Sequence, residues 1–228
     1  ELAPEARNVL IGTALVLFVY RAMPSTGAGS SWWMIDVLKF DESFLARLSL
    51  VAYALTLVGM FAFRRFMAER SISYIIVFLT VVGAMLALPT IGMYYGLHEW
   101  TARHTGGFVD ARVIALIDTA LESPLGQIAM IPMLAWIANS APANLKATYF
   151  AVMASFSNLA LSAAQLGTKY LNQVYVVKRE VVDRATGAVK VQQDYSELGW
   201  LMIAVLLISL LVPLAAVAGV RLLKLRTA

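Results

Sequence analysis

The sequence has no cysteine and only two histidines, His98 and His104. The first absence rules out disulfides and thiolate metal sites, and leaves the redox compartment unread. The two histidines sit in a polar stretch between hydrophobic blocks, where a solvated loop explains them better than a metal-ligand pair. No GxxxxGK[ST] phosphate loop and no HExxH pattern occur, so the chain is neither its own ATP motor nor a zincin. No arrangement of serine, histidine and carboxylate suggests a hydrolytic triad. An enzyme is not expected, nor any metal or other cofactor. A cleavable signal pattern is also missing. The chain opens ELAPEARNVL without an initiator methionine, which reads as part of a longer protein.

Charge is scarce as well. Only 14% of residues are charged, where a soluble domain carries about 25%. By contrast 60% are hydrophobic, and they come in blocks rather than in alternation. Several blocks reach the roughly 20 residues that a helix needs to cross about 30 Å of hydrocarbon. They lack the polar stripe of a soluble amphipathic helix. The expectation is an all-α integral membrane protein, a bundle of six transmembrane helices at about 8–35, 44–63, 71–96, 111–137, 147–171 and 198–223. Lipid is then a necessary partner, and the excess of basic residues speaks to topology rather than to nucleic acid.

Pro24, Gly27 and Gly29 interrupt the first segment, so a kink or a short unwound stretch is expected there. Such a break is tolerated in a membrane only where protein or water covers the freed polar groups. Between the fifth and sixth segments lies YVVKREVVDRATGAVKVQQDY, whose two β-branched runs flank DRATG. That pattern predicts a small extramembrane β-hairpin at about 175–193. Basic clusters at Arg64, Arg65 and Arg70 and at Arg221, Lys224 and Arg226 fall on one side of a six-span arrangement. The positive-inside tendency makes that side, with both termini, cytoplasmic, and the membrane is expected to be a bacterial inner membrane.

Asp118 and Glu122 are the most informative residues. Four positions apart, they share one face of the fourth segment. An intramembrane carboxylate commonly marks a substrate or proton pathway. Two neighbouring carboxylates also tend to hold a proton between them, because like charges disfavour double ionisation. Pairing with Arg112 or Arg21 is the structural alternative. Arg21, just before Pro24, suits either an anionic ligand or a snorkelling role. Trp32 and Trp33 suit interfacial anchoring, or stacking against a planar ligand. Gln127, Asn158 and Gln165 complete the polar candidates, and the last two, seven apart, are expected to face the bundle interior.

Several longer phrases then resemble a known family. MPSTGAG, the stretch Leu38 through Arg47 (LKFDESFLAR), Gly126 through Leu134 (GQIAMIPML) and Lys146 through Leu159 (KATYFAVMASFSNL) resemble the C-terminal half of the folate–biopterin transporters, a branch of the major facilitator superfamily. Lys146 stands where the family phrase usually has an acidic residue, and Ala46 where it usually has glycine. The resemblance implies one half of a twelve-helix carrier for a small anionic organic solute, folate- or pterin-like. It implies alternating access and symport with protons, with an N-terminal six-helix half, on the same or a separate chain, as partner. Arg21, Asp118 and Glu122 would be this half's first cavity residues. The alternative is a non-transporting structural or assembly subunit that binds a protein or pigment. It requires those charges to be paired off or permanently covered.

Overall fold

A computed structural model describes residues 4–126, 128–140, 146–223, 225 and 227. The chain is all-α apart from one small hairpin. Its helices are α1 (Pro4–Arg21), α2 (Gly29–Asp36), α3 (Glu42–Ala62), α4 (Arg64–Glu69), α5 (Ile72–Tyr94), α6 (Leu97–His104), α7 (Ala111–Glu122), α8 (Met130–Ser140), α9 (Lys146–Val174) and α10 (Leu198–Leu222). Between α7 and α8 runs a 3-10 turn, Ser123–Leu125.

Helix starts are set by side chains at the polar ends of apolar runs. The Asp41, Ser71 and Asp110 side chains accept from the backbone N–H of Phe44, Tyr74 and Val113, at 2.7, 3.3 and 3.0 Å. Each satisfies one of the orphan donors of a first helical turn. The Asp41 carboxyl is held below the usual carboxylate range, first by the Phe44 N–H and then by Arg112. Pro89 and Pro213 lie inside α5 and α10 without ending them.

Six long spans are not what the structure contains. Among the described residues five helices are long and apolar enough to cross a membrane: Glu42–Ala62, Ile72–Tyr94, Ala111–Ala135, Phe150–Val174 and Leu198–Leu222. The expected first span, 8–35, divides into α1 and the eight-residue α2. The cause is local chemistry. α1 carries Glu5, Arg7 and Arg21 within its 18 residues, and Pro24 with the positive φ of Gly27 (67°) stops the helix from continuing. Of the kink or short unwound stretch expected there, the structure has the second, a non-helical passage at 22–28. Its freed backbone is covered by α9: Ser25 N–H donates to Thr168 Oγ1 at 2.9 Å, and Asn172 Nδ2 donates to the Thr26 carbonyl at 3.4 Å.

The hairpin forms where expected. β1 (Val181–Val182) and β2 (Val189–Val191) pair antiparallel, Val181 opposite Val191 and Val182 opposite Val189. A further bridge joins Lys178 and Asp194. Gly187 at φ 70° closes the turn, and Asp183 accepts from Ala185 N–H at 2.8 Å.

Two apolar clusters hold the bundle at opposite ends. One joins Val16 and Leu17 of α1, Ile72 and Ile76 of α5, Met133 of α8 and Val217 and Val220 of α10. The other joins Trp33 of α2, Met93 of α5, Ile114 of α7 and Leu198, Leu201 and Met202 of α10. α5 and α10 therefore run from one packed end to the other, and their middle stretches border space. The hairpin lies at the second end, where Tyr94 donates to the Tyr195 carbonyl at 2.8 Å. Arg70 and Arg221 lie at the first.

Candidate functional site

Two adjoining cavities of about 350 and 540 Å³ occupy the middle of the bundle. They share Tyr20, Leu79, Gly83, Leu86 and Glu122, so they form one chamber with two lobes. The smaller lobe adds Arg21, Met130 and Met133. The larger adds Thr80 and Thr90 of α5, Asp118 of α7, Ser209 of α10 and, from the stretch after α1, Met23, Thr26 and Ser30.

Arg21, Asp118 and Glu122 thus line one chamber, though they come from positions a hundred residues apart. Helix geometry places them: Arg21 is the last residue of α1, Glu122 the last of α7, and Asp118 one turn earlier on the same face. None of the three is in an ion pair among the described residues. Arg112 instead bonds Asp41 at 2.9 Å, and Arg21 donates only to Met130 Sδ at 3.5 Å. Asp118 Oδ2 accepts from Thr90 Oγ1 at 2.9 Å. Arg21 Nε, Asp118 Oδ1 and Thr80 Oγ1 are buried without a hydrogen-bond partner among the described residues. A chamber with one unused cationic donor, one unused carboxylate oxygen and a hydroxyl can bind a ligand carrying both acceptors and donors.

The other candidates fall elsewhere. Trp33 is 4% exposed and packs in the core, its ring 5.7 Å from that of Tyr94. Trp32 is partly buried, and neither tryptophan lines the chamber. Gln127 lies outside the described residues. Asn158 and Gln165 are exposed on α9 rather than turned into the bundle. With Ser155, Ser162 and Lys169 they form a polar stripe along the outside of that helix, at steps of three and four residues. Among the described residues no cluster of three or more His, Cys, Asp or Glu could hold a metal, with His98 and His104 or without them.

Thr90, Thr80 and Tyr20 escaped the reading of the sequence. A signal was there. Thr80, Gly83, Ala87 and Thr90 recur at spacings of three, four and three, which puts small and hydroxyl-bearing residues on one face of an otherwise apolar helix.

A second polar cluster lies at the hairpin end of the bundle. Arg179 donates through Nε and Nη2 to the two oxygens of Asp36, at 3.0 and 2.9 Å. The Tyr195 hydroxyl donates to Asp36 Oδ2 at 2.6 Å. The Arg179 bonds hold the Asp36 carboxyl below the usual carboxylate range, with a smaller contribution from Tyr195. Burial, and then the bond to Asp36, push the Tyr195 hydroxyl up to about 12.

Comparison with known proteins gives the family. The sequence model of the BT1 family matches residues 5–221, nearly the whole chain. A folate-biopterin transporter of Synechocystis sp. is 28% identical over 158 residues, 69% of this chain and 31% of the relative. A protein of Plasmodium berghei, named as a candidate folate transporter, is 27% identical over 169 residues, 72% of this chain and 34% of the relative. This chain therefore spans about a third of the length of the curated relatives it matches. No solved structure shows significant similarity to it. The long apolar helices, the phrases shared with transporters and a match over residues 5–221 lead to one assignment: this multi-pass membrane chain belongs to the BT1 family.

Proposed function

We propose that this chain is part of a secondary active transporter that moves a small anionic organic solute, folate- or pterin-like, by proton-coupled alternating access. The observation that carries the reading is the chamber lined by Arg21, Asp118 and Glu122, none of them in an ion pair among the described residues. Charges left unpaired in a membrane are expensive unless something they bind arrives and leaves. The alternative, a non-transporting subunit, requires these groups to be paired within the bundle or covered. Their lack of pairing among the described residues weighs against it.

In this reading Arg21 takes an acidic group of the solute through its fork of donors. Asp118 and Glu122, one turn apart, carry the coupling proton, with Thr90 fixing the Asp118 carboxylate. The rest of the carrier is an N-terminal six-helix half, and the curated relatives, about three times as long as the aligned segment, leave room for one. The exposed polar stripe of α9 would face that half and the solute path between them, since such a stripe is poorly suited to hydrocarbon. The end bearing Arg64, Arg65, Arg70 and Arg221 would be cytoplasmic in a bacterial inner membrane, with the hairpin outside.

The test is uptake of labelled folate and pterin into proteoliposomes holding the full polypeptide, with and without an imposed pH gradient. Gradient-stimulated uptake that Asp118→Asn with Glu122→Gln abolishes is the expected result. Uptake that survives the double substitution would remove the coupling role of the two carboxylates. Absence of uptake of either solute by folded protein would remove this substrate class.

A further inference from the structure

Part of the wall of the larger lobe comes from the non-helical passage and the short helix after it. Met23 and Thr26 belong to the non-helical passage at 22–28, and Ser30 to the eight-residue α2. A helix this short has little stability of its own. What keeps α2 in place is therefore what surrounds it.

Its other end is gripped by both legs of the hairpin. From the first leg Arg179 bonds both oxygens of Asp36, the last residue of α2. From the second leg Tyr195 bonds the same carboxylate. Val177 sits so close to the start of α2 that a Cβ on Gly29 would lie 3.1 Å from it. The two legs are joined to each other by the reciprocal backbone bonds of Lys178 and Asp194, at 2.9 and 2.8 Å. The second leg is anchored to α5 through Tyr94, which donates to the carbonyls of Tyr195 and Ser196 at 2.8 and 3.0 Å. Three donors from a structure fixed to the bundle thus converge on one carboxylate of a helix that lines the larger lobe.

We propose that the segment 175–195 is a strap, with Asp36 as its latch, that holds α2 against the larger lobe of the chamber and sets how fast molecules enter it from the hairpin side. Releasing Asp36 loosens the C-terminal end of α2, whose Trp33 stays packed against Met93, Leu198 and Met202, while the bonds from Thr168 and Asn172 to the passage at 25–26 act as the hinge. The latch is partly open to solvent, the side chains of Arg179 and Asp36 being 42% and 19% exposed, so it can be broken and remade on the timescale of loop motions. The strap acts on access alone and does not depend on which solute the chamber takes.

The absence of cysteine makes the test direct. Gly83 lines both lobes, and a Cβ there would meet nothing within 4 Å, so Gly83→Cys places a thiol in the chamber without a clash. In the full polypeptide, with any cysteine outside these residues replaced by serine, the rate of labelling by a membrane-impermeant thiol reagent is measured from the hairpin side. Arg179→Ala is expected to raise that rate roughly fivefold, and Tyr195→Phe roughly twofold. Asp36→Arg combined with Arg179→Asp, which restores a pair of opposite sense, is expected to bring the rate back toward that of the parent. A cysteine placed at Ile75, a core position of α5 that is 1% exposed, reports general loosening of the bundle. Equal rates at position 83 with and without Arg179 would overturn the proposal. So would an equal gain at position 75, or a failure of the reversed pair to slow the reaction.

Discussion

Two helices of this bundle are broken beside a proline, and each break leaves an ionisable side chain on the chamber. α1 ends at Arg21, three residues before Pro24, and α7 ends at Glu122, two before Pro124. A neighbouring threonine serves the freed backbone at both. Thr168 accepts from Ser25 N–H, and Thr56 donates to the Ser123 carbonyl at 3.0 Å. Their stiffness differs. The second break begins with a 3-10 turn pressed against Gly59 of α3, where a Cβ would overlap the Pro124 backbone. The first meets α9 through side chains, and a Cβ on Gly167 would meet the Pro24 ring at an ordinary 3.4 Å. One break is built as a fixed corner and the other as a movable joint, so the same local chemistry serves both positioning and access.

The largest expected effect breaks the fixed corner. Gly59→Ala should lower stability by about 1–3 kcal/mol, because backbone on backbone cannot yield as a flexible side chain does. Gly167→Ala should change it by less than about 1 kcal/mol. Thermal unfolding of the purified protein in detergent compares the two, and equal losses would erase the distinction between corner and joint.

Next come the two threonines. Thr56→Val removes the hydroxyl donor of the partly buried Ser123 carbonyl, which keeps the Gly126 N–H, and should cost about 0.5–1.5 kcal/mol. Thr168→Val at the exposed Ser25 lets water take over and should cost roughly 0.5 kcal/mol or less. The reverse order in the same assay would mean that the first break is the more rigid one.

The pH dependence of the latch is a smaller effect with a definite sign. Asp36 is faced by Arg179 and Tyr195, with Lys39 and Glu180 nearby. Since Arg179 holds its carboxyl below the usual range, the latch is fully present above the ordinary carboxylate value near ~3.9 and lost as pH falls through the lower, folded value. Labelling of a cysteine at position 83, corrected for reagent chemistry, should stay level from about pH 8 to pH 5. A rise within that window would point to a different titrating group. Smallest of all, Lys190→Ala removes the exposed pair with Asp183 at the hairpin tip, 2.8 Å long, and should leave both melting temperature and labelling rate unchanged. A change there would show that the strap works through its tip rather than through its legs.

How much of this was legible in advance varied by residue. The hydrophobic blocks, the hairpin around DRATG and the family phrases were plain in the order of residues, because each rests on local composition or on contiguous sequence. Asp118 and Glu122 stood out because carboxylates are rare in apolar helices. Thr90 did not, since a threonine in a helix is ordinary until its partner across the bundle is known. Asn158 and Gln165 share a face by spacing, yet spacing could not say that the face turns outward. The six-span count failed at Pro24: the interruption was plain in the residues, but nothing local said that it would leave two separate helices rather than one interrupted span.

The sequence by itself determined that this is a multi-pass membrane protein of a transporter family, and where its helices start, because hydrocarbon thickness and capping chemistry act within a single segment. Only the tertiary structure decided which charges line one chamber, which proline makes a corner and which a joint, and which residues grip the end of α2. Those outcomes depend on contacts between residues a hundred or more positions apart, and no local propensity encodes them.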